Sequence, residues 1–105
     1  MSKQGRVDFV EVSGEATIQN VEALCEQLKA ALRERASLTL DVSRLTTTDL
    51  AFVQLVEAAR LTAAEQGEPL ALSAPASGEL RDVLERGGFL ASAQRREFWI
   101  REEMR

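Results

Sequence analysis

Two periods of apolar and polar residues run along this chain and divide it into elements. From Ser37 to Ser43, Leu38, Leu40 and Val42 share one face and Thr39 and Asp41 the other, the two-residue period of a strand with one buried side. Between Val21 and Arg33 the period lengthens. Val21, Leu24, Cys25, Leu28, Ala31 and Leu32 recur at helical spacing, with Glu22, Glu26, Gln27, Lys29 and Arg33 between them. With Asn20 in the N-cap position, this predicts an amphipathic helix running to about Ala36. A second helix is expected from Leu50 to about Gln66, its core stripe formed by Phe52, Leu55, Val56, Ala59 and Ala63. Asp49 would cap it, Gly67 would stop it, and Pro69 follows.

The remaining segments are shorter. Val7 to Ser13 is rich in β-branched and aromatic residues and reads as a strand. Its apolar positions, Val7, Phe9, Val10 and Val12, do not alternate strictly, which a bulge or burial on both faces explains. Ala16 to Ile18 is expected as a second short strand, joined to the first by a hairpin through Ser13-Gly14-Glu15. Arg44 to Thr48 reads as a polar connection, and Pro69 to Ala74 as a further strand. Ser77 is placed to cap a third helix that buries Leu80, Val83 and Leu84 and ends at Gly87-Gly88, with Phe89 and Leu90 folding back onto the core. In the tail from Ala91 to Arg105, Glu97 to Arg101 reads either as an edge strand carrying Phe98 and Ile100 or as the middle of a terminal helix.

Strands alternating with helices imply an α/β fold with a mostly parallel sheet of about four to five strands and amphipathic helices packed against it. The 105 residues suit one domain, with its core over about 7–90 and the tail 91–105 packed on it or lying at an interface. Hydrophobic residues at 45% and charged residues at 29% describe a soluble globular chain. A net charge of −4 argues against nucleic-acid binding, which needs a basic face. The stretch Met1 to Arg6 is polar, and no apolar run is long enough to span a bilayer, so the expected location is the cytoplasm without direct membrane insertion.

Catalytic chemistry has little to work with. Histidine and tyrosine are absent, which removes the imidazole base, the Ser-His and Cys-His pairs and imidazole metal ligands. Gly87-Gly88 lacks the Lys-Ser/Thr of a phosphate loop. Cys25 has no disulfide partner and lies on an apolar stripe, where it reads as a small buried hydrophobe. No catalytic set, metal site or cofactor is expected, and the chain reads as a protein that works by binding another protein.

The segment Leu38-Thr39-Leu40-Asp41-Val42-Ser43-Arg44-Leu45-Thr46-Thr47-Thr48-Asp49 carries a family resemblance. A strand ending Leu-x-Leu-Asp-x-Ser, a short turn, then Asp at a helix start resembles the STAS domain, the family of bacterial anti-sigma-factor antagonists and of the cytoplasmic domains of sulfate transporters. Gly14-Glu15-Ala16-Thr17-Ile18-Gln19-Asn20 before a helix is similar to the family's opening motif. Glu65-Gln66-Gly67-Glu68-Pro69-Leu70-Ala71-Leu72 resembles its helix-to-strand joint, and Gly87-Gly88-Phe89-Leu90 its ending. The resemblance spans about residues 7 to 90. It implies a residue after Asp49 that is Ser or Thr and is phosphorylated by a partner kinase, itself the anti-sigma factor. The dianion at a helix N-terminus then changes which partner binds. Here that position is Leu50, without a hydroxyl, and Phe52 replaces a glycine usual in the family.

The resemblance therefore implies a regulator that docks without being switched at the usual position. Asp49, Leu50, Val53, Gln54 and Glu57 are the expected partner-binding residues at the start of the second helix. Leu50, Val53 and Glu57 share a face that is either covered by the tail or exposed. Thr48, with Thr46 and Thr47, offers a displaced phosphate acceptor, although local bonds from these hydroxyls to the backbone are the favoured reading. Ser43 is expected to bond within its turn. Trp99 either packs over the core or anchors an interface. The implied partner is a kinase-like anti-sigma factor or a chemotaxis or two-component protein. The alternative is the ATPase of a lipid-transport ABC complex, and a homodimer through the Leu50 face is also open.

Overall fold

A computed structural model of the chain describes residues 7–34 and 37–101. The expectations placed on Met1–Arg6, on 35–36 and on 102–105 lie outside the described residues. Among the described residues, five strands and four α-helices follow in the order β1 (Val7–Glu11), β2 (Gly14–Ala16), α1 (Val21–Arg33), β3 (Ser37–Asp41), β4 (Leu45–Thr48), α2 (Leu50–Gln66), β5 (Leu70–Leu72), α3 (Gly78–Arg86) and α4 (Ala93–Ile100). A single 3-10 turn, Phe89–Ala91, precedes α4.

The strand periodicity translates directly into packing. Leu38 and Leu40 of β3 are fully buried, and Val10, Leu70 and Leu72 join them from the neighbouring strands. All strand pairs are parallel. β1, β3 and β5 form one sheet in that order, with Val10 opposite Leu40 and Leu40 opposite Leu72, while β2 and β4 form a second. The expected parallel α/β architecture is thus present, with its five strands divided three and two. The division is slight in space. Val12 donates its N–H to the Asp41 carbonyl at 2.9 Å and Gly14 donates to Arg44 at 3.0 Å, so the two ladders follow one another along the same pair of chain segments.

The hairpin expected through Ser13-Gly14-Glu15 does not form, and this corrects the reading from sequence. β1 and β2 run on in one direction, and each pairs with a strand beyond α1. Gly14, at φ +71°, takes the bend in the left-handed region without the penalty of a Cβ, and the register of β2 on β4 shifts there. The Arg44–Thr48 segment, expected as a connection, supplies that partner as β4. Its threonines are β-branched and suit a pleated strand once another strand lies beside it.

Helix α2 has the expected bounds. Asp49 opens it, and Gly67 closes it at φ +77°, where the Gly67 and Glu68 amides cap the Ala64 and Ala63 carbonyls at 3.0 and 3.1 Å in a Schellman arrangement. Helix α1 ends at Arg33, short of the expected Ala36, with Glu34 as its C-cap. Of the two readings of the tail, the helix is the one observed. Ser92 caps α4 by accepting from the Arg95 amide at 3.1 Å, and Trp99 and Ile100 are buried. The tail is stitched to the loop before α3 by the Ala76 amide, which donates to the Trp99 carbonyl at 2.8 Å.

Candidate partner-docking surface

The junction of β4 and α2 is organised by one carboxylate. Asp49 stands in extended backbone. Its Oδ1 accepts from the Phe52 amide at 3.3 Å, which caps α2, and its Oδ2 accepts from the Ile18 amide at 3.0 Å. The second bond reaches across the fold and holds the β2–α1 loop against the start of α2. Two apolar side chains are left exposed on the paired segments, Leu50 at 43% and Ile18 at 68%.

The loop holding Ile18 is fixed from within. Asn20 accepts from the Thr17 amide at 2.8 Å through Oδ1 and donates to the Glu15 carbonyl at 2.6 Å through Nδ2. Its side chain makes no capping bond to α1, contrary to the N-cap expectation, because both of its polar atoms are engaged by the preceding turn. Thr17 adds a bond to Glu15 at 3.2 Å and accepts from the Gln19 amide at 3.2 Å.

Thr48 is nearly buried, at 5% exposure. Its hydroxyl donates to the Ala16 carbonyl at 3.0 Å, and its amide donates to Glu79 of α3 at 3.1 Å. A phosphoryl group on this oxygen would break the bond to β2, so the geometry argues against Thr48 as an acceptor. Ser43, as expected, bonds within its turn. Its amide and hydroxyl donate to Asp41 at 3.0 and 2.7 Å, and these two bonds hold the Asp41 carboxyl below the usual value.

The five residues expected to form one docking face are separated. Leu50 and Gln54 are exposed and Asp49 is half-buried. Val53 is fully buried in the core and presents nothing to a partner. Glu57 is covered by the tail: its carboxylate accepts from Trp99 Nε1 at 2.7 Å and from Arg60 at 2.8 Å, with Arg95 at 3.5 Å. Burial alone would raise the Glu57 carboxyl. The bonds from Trp99 and Arg60 and the two guanidinium charges outweigh it and hold the group below its ordinary value. Helical spacing put Leu50, Val53 and Glu57 together; in the fold Val53 belongs to the core, Glu57 is taken up by α4, and Leu50 stays exposed.

In place of Val53 and Glu57 the fold brings up residues that periodicity did not single out. A groove of about 300 Å³ opens between the start of α2 and the end of α3, lined by Thr48, Asp49, Leu50, Val83, Arg86 and Gly87. Ile18 borders the same region through Asp49. Ile18 had read as a strand residue, and nothing in the sequence distinguishes Arg86 from other charged residues at helix ends. A wider groove of about 770 Å³ lies between α2, β5 and α4, with Arg60, Phe98 and Arg101 among its walls. Among the described residues no cluster of His, Cys, Asp and Glu is suited to a metal, and no helix is long and apolar enough to cross a membrane.

Comparison with known families agrees with this architecture. The family model described as "Mlab, STAS domain" matches residues 1–91. The chain belongs to the STAS domain family, a family of regulatory and binding domains that includes anti-sigma-antagonist-like proteins. A search of curated proteins finds no match.

Proposed function

We propose that this chain is a non-catalytic cytoplasmic regulator that binds a bacterial signalling protein through the start of α2, with no phosphate switch at the family's usual position. The partner class is a kinase-like anti-sigma factor or a chemotaxis or two-component protein. The observation that carries the reading is the Asp49 clamp. It caps α2 and ties down the Ile18 loop, and it presents exposed Leu50 where the family's hydroxyl would stand. An apolar side chain held on a rigid helix start is suited to constitutive docking, and no charge change is available at that position to reverse it.

The test is affinity capture from the native cytoplasm with the wild-type chain and Leu50→Glu side by side, followed by reconstitution with the purified partner. A kinase-fold or chemotaxis protein retained by wild type and lost by a folded Leu50→Glu supports the reading. Full affinity in the variant sinks it.

A second reading is a STAS subunit that docks on the ATPase of a lipid-transport ATP-binding cassette complex. It is favoured by the matched family's description under the name Mlab rather than as an anti-sigma antagonist. Recovery of an ATP-binding cassette protein in the same capture experiment selects it.

A further inference from the structure

The groove beside Leu50 has one apolar side and one cationic rim. Leu50 and Val83 supply the apolar surface, and Arg86 stands on the rim at the end of α3. The carboxylate that lines the groove and the one bonded to its Thr48 wall are engaged elsewhere. Asp49 uses one oxygen for the Phe52 amide and the other for the Ile18 amide, and Glu79 accepts from the Thr48 amide. On α3 itself, Glu85 pairs with Arg81 at 3.4 Å, and Asp82, one turn before Arg86, makes no ion pair with it. Arg86 is therefore an exposed guanidinium without a partner among the described residues, on a chain whose net charge is −4. A guanidinium presents a planar fork of donors that matches a carboxylate. Beside an exposed leucine, it complements an acidic residue that has an apolar neighbour.

We propose that the Leu50–Arg86 groove recognises a segment of a partner protein in which Asp or Glu lies next to an apolar side chain. The apolar group packs on Leu50 and Val83, and the carboxylate pairs with Arg86. The inference rests on the reading of the start of α2 as a docking surface, and it extends that surface to α3 and gives the partner a charge.

Random linear peptides displayed on phage, selected on the wild-type chain and counter-selected on Leu50→Glu, test this directly. Enriched peptides are synthesised and their Kd measured against wild type, Arg86→Glu and Arg86→Lys at low and high salt. The enriched sequences should share an acidic residue flanked by an apolar one. Arg86→Glu should weaken binding about ten-fold or more, and Arg86→Lys, which keeps the charge and loses the fork, should weaken it by less than Arg86→Glu. Added salt should weaken the wild-type interaction and, by screening the repulsion that the new carboxylate introduces, strengthen that of Arg86→Glu. Enriched sequences without a carboxylate, affinity that survives Arg86→Glu, or no enrichment at all would overturn the proposal. The captured cellular partner separates this failure from that of the docking reading. A partner lost by Leu50→Glu and bound fully by Arg86→Glu leaves the docking surface standing and removes its acidic selectivity.

Discussion

Asp49 performs two tasks with one carboxylate, and both depend on its position between β4 and α2. Capping satisfies an amide that the first turn of α2 would otherwise leave without an acceptor, and the bond to Ile18 fixes a loop distant in sequence. Replacing it by alanine removes both bonds. Asp49→Ala should lower stability by about 1–2 kcal/mol, read as a shifted urea midpoint at unchanged slope, and should loosen the Ile18 loop in amide hydrogen exchange. Thr48 behaves differently, because its hydroxyl serves a buried carbonyl. Thr48→Val keeps the shape and leaves the Ala16 carbonyl without that donor, at a cost of about 1 kcal/mol. Incubation of the wild-type chain with a partner kinase and ATP should leave Thr48 unmodified by mass spectrometry. Phosphate found on Thr48 would require β2 and β4 to part.

At the scale of elements, α4 is joined to α2 by a charged contact under partial cover. Trp99 is fully buried, its indole N–H meets Glu57, and Phe98 crosses its ring edge-on with centroids 5.0 Å apart. Arg60 sits 5.0 Å from the Phe98 centroid and so binds Glu57 and the tail together. Because the folded Glu57 carboxyl titrates below its ordinary value of 4.5, its contribution is present above that pH and is lost as pH falls through the lower folded value. Urea unfolding of wild type against Glu57→Gln should therefore give curves that differ most near neutrality and converge in acid; a constant gap across pH would mean that Glu57 acts through packing alone. The same contacts show where the sequence was legible. The bounds of α2 are written locally, in Asp49 and Gly67, and were readable from the chain. The fate of Glu57 depends on a tail whose own residues fit a strand or a helix equally. β4 was hidden for a related reason: four residues of Leu-Thr-Thr-Thr acquire strand character only beside β2. Gly14 reads as a turn residue in a hairpin as readily as at a bend between two parallel ladders. Asn20 carries an N-cap signal, yet the Thr17 turn takes its side chain first.

Taken as a whole, the molecule places the proposed docking residue and the anchor of its tail on one helix. The first turn of α2 faces the groove with Leu50, and two turns later Glu57 anchors the tail, a separation of about 10 Å along the helix axis at 1.5 Å per residue. Perturbations that far apart and without shared partners are expected to add. Leu50→Glu changes an exposed side chain and should leave stability within about 0.5 kcal/mol of wild type while abolishing partner binding. Trp99→Phe deprives Glu57 of its indole donor and should cost about 1–3 kcal/mol of stability, with a partner affinity close to that of wild type. The double variant should show both losses at their single-variant sizes. The test is a two-by-two cycle of urea unfolding and partner titration. Additive free energies in both measurements would establish that the tail stabilises the domain without tuning the docking surface. A partner affinity that falls with Trp99→Phe alone would mean instead that α2 transmits the state of its tail contact to its first turn, and that α4 sets the position of Leu50 as well as the stability of the core.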